Sequence, residues 1–71
     1  MPGMQPLDSR SLAALGYDAA RRELHVRFRD SGDAYAYEGV PPAVYEQMLA
    51  AESRGKFLNE HIKGRYPYRR L

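Results

Sequence analysis

The side chains with chemical potential in this 71-residue chain are few, and their spacing limits what they can do. His25 and His61 are the only histidines, and neither stands at a metal-ligand spacing from a second His, Asp or Glu that the sequence brings near it. Both read as surface histidines. Ser11 and Ser53 lack an identifiable base, which a nucleophilic hydroxyl requires within hydrogen-bond reach. No glycine-rich phosphate loop and no cysteine are present, so the sequence supports neither a catalytic residue nor a metal or cofactor site.

Binding chemistry is better represented. Ser53, Arg54, Gly55, Lys56 and Asn59 form a Ser-x-Gly break ahead of an apolar helical spacing. Backbone N–H groups at such a break, with Lys56 and Asn59 beside them, suit a phosphate. The same residues equally suit a structural junction, in which Ser53 caps the helix, Gly55 permits the bend and Asn59 ties down the loop. Farther on, Lys63, Arg65, Arg69 and Arg70 interleave with Tyr66 and Tyr68, a mixture of cations and aromatics that fits a polyanion. It also fits a solvated, frayed terminus, the commoner origin of a basic chain end.

Charge segregates along the chain. Asp30, Asp33, Glu38, Glu46 and Glu52 give residues 30–53 a charge of −5, whereas residues 1–29 sum to +2 and residues 54–71 to +5. Folding at this size removes only about 60% of the unfolded chain's surface, so the core is thin and association with itself or a neighbour is a natural expectation. No apolar run approaches the roughly 20 residues that cross a bilayer, and the start lacks a secretory pattern. These features point to a cytoplasmic location and no membrane partner.

The elements that must position these residues are an α+β set. Glu23–Arg29 is the clearest period-two run, with Leu24, Val26 and Phe28 on one face and His25, Arg27 and Arg29 on the other. Asp30-Ser31-Gly32-Asp33 supplies a turn, and Ala34–Glu38 returns with Tyr35 and Tyr37 in alternation. With Ser31 and Gly32 as the central pair, Phe28 faces Tyr35 and Val26 faces Tyr37, so both tyrosines enter the core and the arginines share the opposite, wet face with Ala34, Ala36 and Glu38. A three-residue loop would instead set the tyrosines beside Arg27 and Arg29 as an exposed aromatic surface. The first register is preferred because it leaves each face chemically consistent.

The predicted layout is a three-stranded antiparallel meander (about 11–18, 23–29 and 34–38) followed by two helices (about 42–53 and 56–63) packed on one face. Val44, Met48 and Ala51 form the stripe of the first helix, with Tyr45 and Leu49 beside it. Phe57, Leu58 and Ile62 are the apolar residues of the second, and Gly64 stops it. Residues 1–9 read as a flexible leader, 10–66 as one domain and 67–71 as a basic tail.

Ser11, Gly16-Tyr17-Asp18, Leu24-x-Val26-x-Phe28, Tyr35-Ala36-Tyr37, Gly39-Val40-Pro41, Tyr45, Ala51, Ser53-Arg54-Gly55, Phe57, Asn59, Ile62 and Tyr66 together resemble the KTSC domain, a family named for the C-terminus of certain lysyl-tRNA synthetases. The resemblance covers about residues 9–71 and implies a stand-alone bacterial member. It carries over no catalytic residue. It implies an association with RNA, and the basic clustering read above then makes Arg27, Arg29, Arg54, Lys56, Lys63, Arg65, Arg69 and Arg70 the candidate contacts to tRNA or single-stranded RNA, with Tyr35, Tyr37, Ser53, Gly55 and Asn59 as structural motif residues. The alternative is a protein-interaction or homodimerisation module without nucleic-acid binding.

Overall fold

The computed structural model describes residues 4–6 and 11–71. Its antiparallel sheet runs in the order β1 (Gln5–Pro6), β2 (Leu12–Asp18), β3 (Glu23–Phe28), β4 (Ala34–Tyr37) and β5 (Tyr68–Arg70). Helix α1 (Pro42–Ala50) and the short α2 (Arg54–Phe57), which widens into a π-helical turn at Leu58–Ile62, complete the α+β fold. The three-stranded meander is present as β2–β3–β4, and two strands extend it. β1 comes from the segment expected to be a leader, of which residues 1–3 and 7–9 lie outside the described residues. β5 lies in the segment expected to be a basic tail.

Alternation decides the faces, and hairpin geometry decides the register. Val26 pairs with Tyr35 and Leu24 with Tyr37, two residues away from the expected pairing. The turn is longer than a two-residue loop: Phe28 N–H donates to the Asp33 carbonyl and Gly32 N–H to the Phe28 carbonyl, with Gly32 at a φ of +74°. A slip of two preserves face identity, since side chains alternate with period two. Tyr35 and Tyr37 therefore still share the face of Leu24 and Val26.

On that face Leu12, Leu15, Leu24, Val26 and Tyr37 meet Val40, Met48, Leu58 and Ile62 in the buried core. Pro41 precedes α1 in an extended conformation with Pro42 at the first helical positions, where a missing N–H costs nothing. α1 ends at Ala50, earlier than the periodicity suggests. Ala51 is extended at ψ 147°, and the Arg54 guanidinium donates to the Leu49 carbonyl at 2.9 Å, so a side chain from the next helix satisfies an end of this one. Leu49 is exposed, and Met48 is the buried residue of the stripe.

Ser53 caps α2, its hydroxyl accepting from Lys56 N–H at 3.2 Å. Gly55 is buried within α2 and has no positive φ, so it serves close packing rather than the bend, which lies at residues 51–53. Gly64 follows the π-helical turn at a φ of +81°, a conformation that suits glycine.

Candidate nucleic-acid interface

The helices do not cover the whole core face. Toward the β4–β5 side an open groove of about 400 Å³ remains, walled by Phe28, Tyr35, Tyr37 and Tyr68, with Lys63, Gly64 and Ser31 at its rim. Phe28 and Tyr35 meet edge to face at 5.6 Å, Tyr35 and Tyr68 at 5.5 Å and 83°, and Tyr37 and Tyr68 at 5.6 Å. Tyr37 is buried, and burial pushes its hydroxyl pKa up, whereas Tyr68 is 63% exposed. Both tyrosines thus line the groove, Tyr37 as a buried core residue at its base and Tyr35 half-buried in its wall.

Lys63 reaches the groove because the preceding turn is π rather than α. Its N–H donates to the Leu58 carbonyl five residues back, the helix stops, and the ammonium lies 4.8 Å from the Phe28 ring centroid. A cation–π contact at an exposed site is worth about 0.5–1 kcal/mol, weak enough to exchange for a phosphate. Arg27 and Arg70 meet the same hairpin from opposite faces of the sheet, Arg27 across from Ala34 and Arg70 across from Tyr35. Arg27 Nη1 donates to the Gly32 carbonyl at 2.6 Å, and Arg70 pairs with Asp33 at 2.7 Å. Arg29 donates to the Leu12 carbonyl at 3.3 Å. With Lys63 these make four cations around a turn whose acids are Asp30 and Asp33.

The other expected contacts are placed elsewhere. Arg69 points to the opposite face of β5, where it holds Glu23 through two bonds of 2.8 and 3.0 Å. Gly16, His25, Ala36 and Arg69 fall in one cross-strand row, and the small Ala36 side chain leaves room for the arginine to pass over β4 to Glu23. His25 Nε2 lies 3.1 Å from the Glu23 carboxylate and is 1% exposed, so it is a buried, partnered histidine and not a surface one. Hydrogen bonds from Arg69 and then His25 hold the Glu23 carboxyl down to about 2. The face expected to be wet is closed here by an ion-paired cluster.

Arg54 is committed to the Leu49 carbonyl, and Lys56 lies 3.9 Å from Glu60. The Ser-x-Gly junction is therefore a capped helix start, with Ser53 accepting from Lys56 N–H and the Arg54 Nη2 group donating across to α1 while its buried Nε has no hydrogen-bond partner among the described residues. Asn59 is exposed, with no side-chain hydrogen bond to the loop among the described residues. His61 is also exposed, its ring tilted at 42° against Phe57 with centroids 4.6 Å apart. Arg65 is exposed just beyond Gly64. Among the described residues no cluster of His, Cys, Asp or Glu could hold a metal ion, and no helix is long and apolar enough to cross a membrane.

Lys63, one of the basic residues named from the sequence, borders the groove, whereas the groove itself is not legible in the sequence. Phe28 and Tyr68 are its missed members. Their signal was the aromatic content of two separate strands, which says nothing about proximity until β5 pairs with β4, Tyr68 opposite Tyr37.

Comparison with known proteins agrees with the fold. The chain is similar to a small protein of Tsukamurella paurometabola, 46% identical over 63 residues covering 89% of this chain and 92% of that one. It is similar to an uncharacterised protein of Stutzerimonas stutzeri at 44% identity, with 92% of each covered. A lysine–tRNA ligase of Nostoc punctiforme is 38% identical over 55 residues, which are 78% of this chain and 10% of the ligase. The crystal structure of a KTSC domain protein from Yersinia pestis superposes with a TM-score of 0.91 at 35% identity, covering 97% of this chain and 96% of that one. With the KTSC domain pattern matching residues 8–66, the chain belongs to the KTSC domain family.

Proposed function

We propose that this domain is an RNA-associated module whose contact surface is the hairpin end of the sheet. The observation that carries the reading is the position of Lys63 at the lip of an aromatic groove, with Arg27, Arg29 and Arg70 around the adjoining turn. Arg65 extends the same surface. The geometry narrows the expected contacts: Arg69 is held by Glu23, and Arg54 and Lys56 belong to the helix junction. The similar segment in a lysine–tRNA ligase supports an association with RNA. Cytoplasmic residence accords with that partner.

Electrostatic attachment to phosphates predicts a steep salt dependence, with a slope of about 0.7 per contact on a single strand. The test is a residue-resolved NMR titration with single-stranded RNA and with tRNA at low salt, repeated as salt is raised. Shifts concentrated at residues 27–33 and 63–70 that vanish with salt are expected. Shifts absent, or scattered over the helices, would refute the reading.

A second reading, association with another protein or a second copy, is favoured by β5, a short edge strand beside exposed Leu71. Sedimentation across concentration separates the two: a monomer throughout counts against self-association.

A further inference from the structure

We propose that the Phe28–Tyr35–Tyr68 groove accepts one unpaired nucleotide, its base against the exposed Tyr68 ring and its phosphate on Lys63. The inference deepens the RNA reading and rests on it. The groove volume of about 400 Å³ lies near the small end of ligand pockets, of a size for one nucleotide and not for a helical stem.

Tyr68 supplies the platform. It is 63% exposed, yet its position is set by pairing with Tyr37 and by ring contacts to Tyr35 and Tyr37. Two χ angles leave a tyrosine little freedom to lose, so a ring already held from behind binds a base without first having to be ordered. Phe28 adds an apolar wall, at present topped by the Lys63 ammonium. A phosphate would draw Lys63 off that ring toward itself and leave the Phe28 face for the base or ribose.

Gly64 borders the site and presents no side chain, which lets a ligand approach the backbone. The remaining polar groups are tyrosine hydroxyls and the Ser31 hydroxyl, which accepts from Asp33 N–H at 3.2 Å. No Asn, Gln, Asp or Glu lines the groove to read a base edge. Recognition would therefore rest on stacking and charge, tolerant of base identity, with purines favoured by their larger ring area.

The experiment is an NMR titration of the full chain with AMP, UMP, adenosine and inorganic phosphate, alongside a short oligoadenylate. AMP should shift the amides of Phe28, Tyr35, Lys63, Gly64 and Tyr68, with UMP weaker and phosphate alone confined to Lys63 and its neighbours. Tyr68→Ala should remain folded by circular dichroism and weaken AMP binding about tenfold or more. Lys63→Ala should abolish the preference for AMP over adenosine. AMP without effect on these amides, or Tyr68→Ala binding as the parent does, would overturn the proposal. Oligoadenylate shifting the basic hairpin without the groove would reject the nucleotide site and leave the RNA reading standing; no shifts from any of them would remove both.

Discussion

At the scale of single residues, Glu23 and Tyr37 show how much depends on partners far away in sequence. Glu23 is a carboxylate whose pKa falls from 4.5 to about 2 because Arg69, 46 residues later, and His25 donate to it. A depressed carboxyl pKa stabilises the fold fully above the unfolded value and loses that contribution as protons bind. Stability should decline between about pH 4.5 and pH 2 through this group. Glu23→Gln should flatten that part of the acid limb, as read from urea unfolding at pH 7, 4 and 2.5; an unchanged slope would show that other carboxyls carry it. Tyr37 is the buried member of the tyrosine pair, and truncating a buried aromatic costs about 3–5 kcal/mol. Tyr37→Ala is expected to unfold the domain or lower its melting temperature by tens of degrees. A melt within a few degrees of the parent would return this ring to the surface.

At the scale of elements, β5 and the α1–α2 junction decide the shape of the groove. β5 pairs with β4 through residues 68–70 and crosses the sheet again through Arg69, so it binds the third and fourth strands together. Ending the chain at Tyr66 removes those ladder bonds, each worth about 0.5–1.5 kcal/mol net, and exposes Tyr37. At about 4–8 °C per kcal/mol for a domain of this size, the melting temperature should drop by about 10 °C or more, measured by circular dichroism. A tail that only frayed in solvent would leave it unchanged. Ser53→Ala tests the junction: losing a cap costs about 1 kcal/mol, a shift of about 4–8 °C by the same measurement. RNA-dependent shifts should survive that substitution, because the junction lies apart from the hairpin.

The molecule as a whole is a thin sandwich of one sheet and one helical layer, with a Cα radius of gyration of 10.7 Å. Burial concentrates where β2, β3 and β4 meet Met48, Leu58 and Ile62. Native-state hydrogen exchange should accordingly be slowest in β3 and β4 and faster in β5 and α2, since local opening follows buried apolar contact. Equal protection across all elements would mean that the edge and the short helix are cooperative parts of the core.

The α+β class, the period-two strands around residues 24–37, the Pro-led first helix and the Gly64 stop were legible in the sequence. Each depends on local spacing or on a residue's own backbone preference, which neighbours along the chain determine. The tyrosines' face was legible for the same reason, because a hairpin slip of two residues leaves alternation intact. The register itself, the strand made by residues 68–70, the burial of His25 and the aromatic groove were not. His25 looked like a surface residue because nothing nearby in sequence reveals that Gly16 and Ala36 will flank it or that Glu23 will be held by Arg69. Tyr68 became the wall of a groove only when β5 closed against β4, and Lys63 its rim only when a π turn aimed it at Phe28. These outcomes depend on pairings between distant segments, which only the folded chain brings together.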